Sequence, residues 1–309
     1  MGSYYGSNAG GASSSFWGGS GSPSRSRVEC APQAAGSNQP NASRGVSGKC
    51  AFNPTDFTPF RLMSSRFESH DTRRFIFALA DPEASMNLPV SSCILTKFTD
   101  PETGKEVVRP YTPITTNATK GHFELLVKRY PKGKMGTHIF TLRPGEELLV
   151  KGPFIKFEYK PNTKNHVGMI CGGTGVTPMY QVIREVLDNP SDKTKLSLIY
   201  ANNSRRDILL GNELCELQKT YPNFHMYLTL VDPPRRWLGG IGFITKEVLK
   251  AFLPPPGEKD TAVLVCGPPG MMKHLSGDKE FVTGQPPKQG ELTGVLKELG
   301  YESSQVFKF

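Results

Sequence analysis

The first half of the chain, from about residue 57 to 157, alternates short β-prone runs with turns. The runs lie at 60–62, 74–79, 92–97, 121–128 and 147–151, and turn-forming residues bound each of them. Regularly spaced short strands are typical of an antiparallel barrel or sandwich. Residues 137–142 predict one or two helical turns within this region.

The pattern changes near residue 165, where longer apolar runs begin to alternate with helical segments. The predicted strands are 166–171, 196–201, 224–231 and 262–266, and the predicted helices are 178–187, 210–219, 271–274 and 292–299. Alternating strands and helices predict a parallel sheet that is covered on both faces. The fold class is therefore a β-barrel plus α/β, with a barrel domain at 51–160 and an α/β domain at 161–309.

Residues 1–50 differ from the rest in composition. They contain 10 Gly, 12 Ser, four basic residues and a single acid, Glu29. Such a segment cannot bury enough apolar surface to offset its ordering entropy, so we expect a disordered tail. Its Ser-rich, acid-poor character is also that of a transit peptide, although it lacks the amphipathic pattern.

Charge and cysteine content exclude several classes of function. The formal net charge is +9, which suits nucleic acid, a membrane surface or an acidic protein as partner. The basic residues are dispersed and form no nucleic-acid motif, so we expect no nucleic-acid partner. No apolar stretch is long enough for a transmembrane helix. The six cysteines are scattered without a CxxC pair, and no HExxH occurs, so we expect reduced thiols and no metal site.

The segment Arg109-Pro-Tyr-Thr-Pro-Ile114 combines four chemical functions at the end of a strand. Arg109 can clamp a phosphate in bidentate fashion, and Pro110 stiffens the turn. Tyr111 follows two positions later on the same side of an extended chain, where its ring can lie against a flat cofactor, and Thr112 adds a hydroxyl. The alternative is an ordinary surface turn.

Two glycine-rich turns precede helical segments. Gly133-Lys-Met-Gly136 exposes backbone N–H groups ahead of a short helix, which favours an anion, although a purely structural turn has the same composition. Gly172-Gly-Thr-Gly-Val-Thr-Pro178 joins a strand to a helix, where open α/β sheets bind pyrophosphate or ribose. It does not match the GxGxxG fingerprint, so the prediction of a nucleotide-binding turn rests on its position between a strand and a helix.

A third turn, Cys266-Gly-Pro-Pro-Gly-Met271, ends a later strand of the same sheet. Ligands of such sheets bind at the carboxyl ends of the strands. A thiol at that place can orient a nicotinamide ring, whereas the alternative is a buried structural cysteine.

Taken in this order, the segments resemble the ferredoxin–NADP reductase superfamily and, within it, the NADH–cytochrome b5 reductase family. The resemblance extends over residues 52–309 and includes Phe123-Glu-Leu-Leu-Val-Lys-Arg-Tyr-Pro131 and Asp207-Ile-Leu-Leu. The ending, with Val306-Phe-Lys-Phe309, is most similar to the fungal mitochondrial form.

The resemblance implies FAD as a bound cofactor and assigns residues to it. Arg109 would hold the pyrophosphate, Tyr111 would lie against the isoalloxazine, and Thr112 would hydrogen-bond near the reactive flavin nitrogen. Other residues implied to bind the cofactor are Pro110, Leu126, Lys128, Lys134, Met135, Gly136 and Thr177.

The resemblance also implies a nicotinamide site. Gly172 and Gly173 would leave room for the nicotinamide, and Cys266 would lie near its ring. Lys128 would face the nucleotide, so Thr112, Cys266 and Lys128 are the predicted catalytic residues. The remaining residues implied to line this site are Gly267, Pro268, Met271, Asp232 and Phe309, the last of which would cap it.

Three features of the sequence depart from the family pattern. Gly136 stands where the family usually has Ser. Arg205 and Arg206 follow a strand where an acid is more usual, and two arginines suit the 2′-phosphate of NADPH. Asp232 lies one residue closer to Trp237 than the usual selecting Asp. We therefore expect NADH as the preferred donor with NADPH possible.

The resemblance implies hydride transfer from NADH to FAD and then single-electron transfer to cytochrome b5 or a similar acidic haem protein. We expect a monomer whose membrane association, if any, comes through the partner. The resemblance implies a mitochondrial location, with the cytoplasm as alternative. Two other functions stay open: a reductase module for another one-electron acceptor, and a non-catalytic basic interaction protein that retains the fold.

Overall fold

The computed structural model describes residues 49–281 and 286–309. The prediction of a disordered or targeting tail concerns residues 1–50, of which 1–48 lie outside the described residues. The predicted domain boundary at 160/161 falls between the last strand of one sheet and the first strand of another.

Six strands form an antiparallel, barrel-like sheet in the first half of the chain. They are β1 (Thr58–Phe67), β2 (Thr72–Ala78), β3 (Ser92–Thr99), β4 (Glu106–Tyr111), β5 (His122–Lys128) and β6 (Glu147–Ile155). Their order is β4-β3-β6-β1-β2-β5, and helix α1 (Lys134–Thr141) follows β5. The sequence predicted five of these strands and placed the start of α1 three residues too late, because Gly136 weakened the helical pattern.

Phenylalanines fill the interior of this sheet. Phe77 stacks on Phe123 with ring centroids 5.4 Å apart, and Phe60 meets Phe123 edge-on at 5.3 Å. Since alternate residues of a strand face the same side, β2 and β5 each turn one row of side chains inward. Phe75, Phe77 and Phe123 are fully buried.

The second half forms a parallel sheet of six strands in the order β10-β9-β8-β7-β11-β12. The strands are β7 (His166–Gly172), β8 (Lys195–Ser204), β9 (Phe224–Asp232), β10 (Gly240–Ile241), β11 (Thr261–Cys266) and β12 (Val306–Lys308). The helices are α2 (Val176–Leu187), α3 (Gly211–Thr220), α4 (Lys246–Phe252), α5 (Pro269–Leu275) and α6 (Gly294–Glu298). The predicted fold class, a barrel followed by an α/β domain, is confirmed.

Helices cover both faces of this parallel sheet. Along β7, Met169 and Cys171 join the core under α2 and α3, whereas Ile170 joins the core under α4, α5 and α6. Strands buried on both faces read as continuous apolar runs, which is why the sequence predicted them well.

The two domains pack directly against each other. Ile114 and Leu126 of the barrel belong to the same core cluster as Val176 of α2. Gln181 on α2 donates its side-chain amide to the carbonyl of Pro113 at 2.9 Å. The carboxyl ends of the parallel strands therefore face the barrel.

Two expectations from composition concern the described part of the chain. Cys50, Cys93, Cys171 and Cys266 form no disulfide with one another in the described ranges 49–281 and 286–309. The helices found there are too short or too polar to cross a lipid bilayer.

Candidate active site

A cleft of about 1230 Å³ opens between the barrel and the carboxyl ends of β7, β8 and β11. Both domains contribute to its walls, as the topology of a parallel sheet predicts. The predicted site residues that line it are Pro110, Tyr111, Thr112, Leu126, Lys128, Gly172, Gly173, Thr177, Cys266, Gly267, Pro268, Met271 and Phe309.

The other predicted residues are not part of the lining of the cleft: Arg109, Lys134, Met135, Gly136 and Asp232. Arg109 is exposed and donates from Nη1 to the carbonyl of Val108 at 2.7 Å. It forms no ion pair with any carboxylate of the described residues, so its guanidinium is available to a phosphate.

Glycines bring the turn after β7 into contact with the turn after β11. A Cβ on Gly175 would lie 2.3 Å from the carbonyl oxygen of Cys266, and a Cβ on Gly172 would lie 2.8 Å from the sulfur of Met271. Gly173 has φ +54°, and no atom lies within 4 Å of the place of its Cβ. Gly173 therefore leaves open space at the cleft, whereas Gly172 and Gly175 allow close packing.

Buried hydroxyl groups hold this glycine turn in place. Tyr200 donates its hydroxyl to the carbonyl of Gly173 at 3.2 Å and accepts from the backbone N–H of Leu209 at 3.1 Å. Thr177 donates to the carbonyl of Thr174 at 3.1 Å. Full burial raises the pKa of Tyr200, so its hydroxyl stays a donor at every ordinary pH.

Cys266 presents a neutral thiol to the cleft. Burial raises its pKa to about 12, and the nearby Lys279 offsets only part of that shift. A neutral thiol is a poor nucleophile but can still contact and orient a ring.

Tyr111 lies at the end of β4 with its ring against the barrel core. Burial raises the pKa of its hydroxyl to about 12, and the charge of Arg109 acts in the opposite direction. Tyr111 therefore remains a neutral aromatic surface beside Thr112.

The residues predicted as a glycine-rich turn ahead of a helix form the first turn of α1, and their side chains make contacts within the barrel domain. Lys134 donates to Asp100, and this hydrogen bond lowers the pKa of the Asp100 carboxyl. Met135 is buried in the barrel core. A Cβ on Gly136 would lie 2.9 Å from the carbonyl oxygen of Lys128, so glycine here lets α1 lie against the end of β5. The predicted contacts of these residues with pyrophosphate stay predictions.

Lys128 connects the barrel wall of the cleft to its α/β wall. Its ammonium lies 2.9 Å from Asp71 of the barrel and 3.9 Å from Asp207 of the α/β domain. Burial alone would raise the pKa of Asp71, but hydrogen bonds from Lys128 and Thr72 outweigh burial and lower it. Asp207 also accepts from the backbone and the hydroxyl of Ser204.

The predicted determinants of donor choice lie together at one edge of the cleft. Asp232 ends β9 and is paired in register with Ser204 on β8. Arg205 and Arg206 follow in a short 3-10 helix and are exposed. Neither arginine forms an ion pair within the described ranges, which leaves both able to meet a phosphate.

Sequence reasoning missed several residues that line the cleft. Lys156 follows β6, and Lys279 lies in the loop after α5. Ser91 precedes β3 and Ser92 begins it, and the hydroxyl oxygens of both are buried without a hydrogen-bond partner among the described residues. These residues come from three separate segments without a motif, so only the fold brings them together.

The cleft fits FAD and a nicotinamide nucleotide. Its volume exceeds the 300–1000 Å³ that is usual for a single small ligand. Tyr111 offers an aromatic surface that matches a flat ring. Arg109 has no carboxylate partner among the described residues, which suits a pyrophosphate. The open position at Gly173 leaves space for a second ring.

Comparison with protein families assigns each half of the chain. Residues 59–159 match the family of oxidoreductase FAD-binding domains, and residues 169–277 match the family of oxidoreductase NAD-binding domains. The fold and the cleft thus define a flavin- and nicotinamide-dependent oxidoreductase that uses FAD and NADH.

Individual relatives narrow this class. An Arabidopsis thaliana protein named NADH-cytochrome b5 reductase-like protein is 48% identical over 87% of this chain and 81% of its own length. NADH-cytochrome b5 reductase 2 of Aspergillus terreus is 49% identical over 78% of this chain and 74% of its own. The crystal structure of the cytochrome b5 reductase domain of Ulva prolifera nitrate reductase is 32% identical with a TM-score of 0.71, covering 84% of this chain and 100% of that one. The chain belongs to the NADH–cytochrome b5 reductase family.

Proposed function

We propose that the protein oxidises NADH at bound FAD and delivers the electrons one at a time to cytochrome b5. The observation that carries the proposal is a single cleft to which an FAD-binding and an NAD-binding domain both contribute. Relatives at 48–49% identity are named for the same donor and acceptor. When bound, FAD supplies the chemistry that accepts a hydride from NADH and releases the electron pair singly.

Residues of this chain bind and orient the two cofactors. Arg109 would pair with the pyrophosphate of FAD, Tyr111 would support the ring, and the Thr112 hydroxyl would hydrogen-bond to it. Gly173 would leave room for the nicotinamide, and the neutral thiol of Cys266 would lie against it. Holding the two rings in contact speeds hydride transfer, because the reacting atoms then meet in one orientation.

The cleft also carries features that suit an acidic protein acceptor. Lys156 and Lys279 line it, and neither forms an ion pair with a carboxylate of the described residues. Ile155 and Phe281 expose apolar side chains next to these lysines in the chain. Uncompensated positive charge around an apolar surface attracts an acidic partner and speeds its association.

The proposal is tested by separating the two half-reactions. The purified yellow protein should bleach with NADH in the absence of oxygen, and oxidised cytochrome b5 should restore the colour in a second mixing step. A protein that NADH does not bleach would exclude the enzymatic function and leave the non-catalytic interaction protein. Bleaching without reoxidation by cytochrome b5, but with reoxidation by ferricyanide, would contradict the choice of acceptor.

Charge reversal tests the docking of the acceptor. Lys156→Glu and Lys279→Glu should slow reoxidation by cytochrome b5 by a larger factor than they slow flavin reduction by NADH, and the difference should shrink at high salt. Lys193→Glu is the matched control, because Lys193 precedes β8 at the opposite end of the sheet. An equal loss in the control would show that only net charge matters.

A second function is a reductase module for another one-electron acceptor. It is favoured by the similarity to a reductase domain from a nitrate reductase. Turnover numbers with a panel of haem proteins at fixed NADH separate it from the first proposal.

The mitochondrial location, with the cytoplasm as alternative, stays a prediction. Imaging a fluorescent protein that carries residues 1–50 at its N-terminus tests it.

A further inference from the structure

The hairpin between β1 and β2 reaches from the barrel onto the α/β domain. Arg74, the third residue of β2, has a side chain that is only 10% exposed. Three carboxylates surround this guanidinium. Glu68 and Glu124 belong to the barrel, whereas Glu213 lies on helix α3 of the other domain.

The contacts of Arg74 have hydrogen-bonding geometry. Nε and Nη2 donate to the two oxygens of Glu68 at 3.1 and 3.3 Å, and Nη1 donates to Glu124 at 3.2 Å. Nη2 also donates to Glu213 across the domain boundary at 2.7 Å. A second contact crosses the domain boundary, because the Glu68 carboxylate of the barrel accepts a hydrogen bond from the backbone N–H of Leu210 at 3.1 Å.

These contacts link the two domains. Each is charge-assisted, and the Arg74 guanidinium is only 10% exposed, which strengthens the contacts relative to a fully exposed ion pair. Leu210 stands directly before α3 with φ +55°, so the Glu68 carboxylate holds the start of the helix whose Glu213 binds Arg74. Helix α3 is therefore bound to the hairpin at two points: Leu210 directly before the helix and Glu213 in its first turn.

The same hairpin touches the cleft itself. Asp71 binds Lys128, which lines the cleft and approaches Asp207 at 3.9 Å. Asp207 caps the turn at Ser204 that leads into the predicted donor-selecting arginines. Movement of the hairpin would therefore be transmitted to both walls of the cleft.

We propose that the β1–β2 hairpin is an interdomain clasp and that Arg74 and Glu213 are positioning residues for hydride transfer. They touch neither cofactor. They set the position of the nucleotide-binding domain relative to the barrel, and so the distance between the two rings. The inference rests on the proposed oxidation of NADH at bound FAD.

Glu213→Ala is the informative variant. Glu213 is 38% exposed, and its removal leaves Arg74 paired with Glu68 and Glu124, so no buried charge loses all its partners. Removing Arg74 would leave carboxylates uncompensated and could prevent folding. The matched control is Glu216→Ala, which makes the same change on the same helix at a residue that is 68% exposed and pairs with Lys219 of that helix.

The experiment measures flavin reduction by stopped-flow absorbance without oxygen, at saturating NADH and well below the unfolding temperature. Glu213→Ala should keep its full FAD content and lose between about fivefold and a hundredfold in the reduction rate, since misplacement by 1 Å costs up to that much. The long-wavelength absorption of NAD⁺ against reduced flavin should weaken in parallel. Glu213→Gln, which keeps a hydrogen-bond acceptor, should recover to within about threefold of the wild type.

Several outcomes overturn the inference. If Glu213→Ala lowers the unfolding temperature but keeps the reduction rate and the long-wavelength absorption, the contact is merely structural. If Glu216→Ala slows reduction equally, the charge of α3 is responsible. Failure of the wild-type protein to be reduced by NADH would instead reject the proposed function, so the two failures are distinguishable.

Discussion

Gly175→Ala offers a quantitative test of the close packing at the cleft. The added Cβ would lie 2.3 Å from the carbonyl oxygen of Cys266, 2.7 Å from its carbonyl carbon and 3.2 Å from its sulfur. Contacts below 3.0 Å are essentially never found, and the opposing atoms are backbone, so the two turns must separate by about 0.7 Å. A displacement of 1 Å can cost about a hundredfold in rate, so we expect hydride transfer to fall by about ten- to a hundredfold.

Flavin reduction by NADH measures this loss directly, and visible absorbance reports the FAD content. FAD content should stay near that of the wild type, because the predicted pyrophosphate and ring contacts at Arg109 and Tyr111 belong to the barrel. Gly270→Ala serves as the control for stability, because its added Cβ would meet no atom within 4 Å. A Gly175→Ala protein that is as stable as the control and is reduced within about twofold of the wild-type rate would refute the argument.

Three further predictions follow from other residues. Arg109→Ala should weaken FAD binding by about ten- to a hundredfold, because a charge-assisted hydrogen bond contributes about 1.5–3 kcal/mol. Fluorescence titration of the FAD-free protein measures the affinity, and an unchanged affinity would exclude Arg109 as the residue that binds the pyrophosphate. Arg205→Glu should raise the ratio of kcat/KM for NADH over NADPH, and an unchanged ratio would show that Arg205 does not meet the nucleotide. Alkylation of Cys266 by iodoacetamide at pH 8 should be at least about a hundredfold slower than that of a free thiol, because only the thiolate reacts and the pKa is raised. The alkylation rate should increase as the pH rises. Rapid labelling of Cys266, followed by peptide mass spectrometry, would contradict the raised pKa.

Long elements with a clear pattern were predictable from sequence. The run 166–171 and the helix at 178–187 correspond to β7 and α2 within two residues at each end, because burial on both sheet faces leaves an unmistakable apolar run. The bounds of β4 were not predicted, although the Arg109–Ile114 motif was placed at the end of a strand, because Pro110 interrupts the β-prone run. Strands β10 and β12 are too short for a periodicity, and α4 follows its Thr245 cap with only seven residues.

Some parts of the candidate site were predictable from the sequence and others were not, for similar reasons. The turns at 172–178 and 266–271 were found because the order strand, glycine, helix has a physical meaning in a parallel sheet. The ion pair between Arg74 and Glu213 joins residues 139 positions apart, and nothing local in either segment indicates the other. Likewise, the sequence predicted Gly136 as part of an anion-binding turn and as a departure from a family pattern, whereas the approach to the Lys128 carbonyl supplies a steric reason for glycine.

The clasp has a consequence for protein engineering and for evolution. A chimaera that replaces the nucleotide-binding domain to change donor preference would separate Glu213 from Arg74 and Leu210 from Glu68, although the new domain could fold well. Such an exchange should succeed only when the β1–β2 hairpin is transplanted together with helix α3. In natural relatives, the same dependence predicts that substitutions at position 74 and position 213 arise together, as a covarying pair that spans the boundary between two separately recognisable domains.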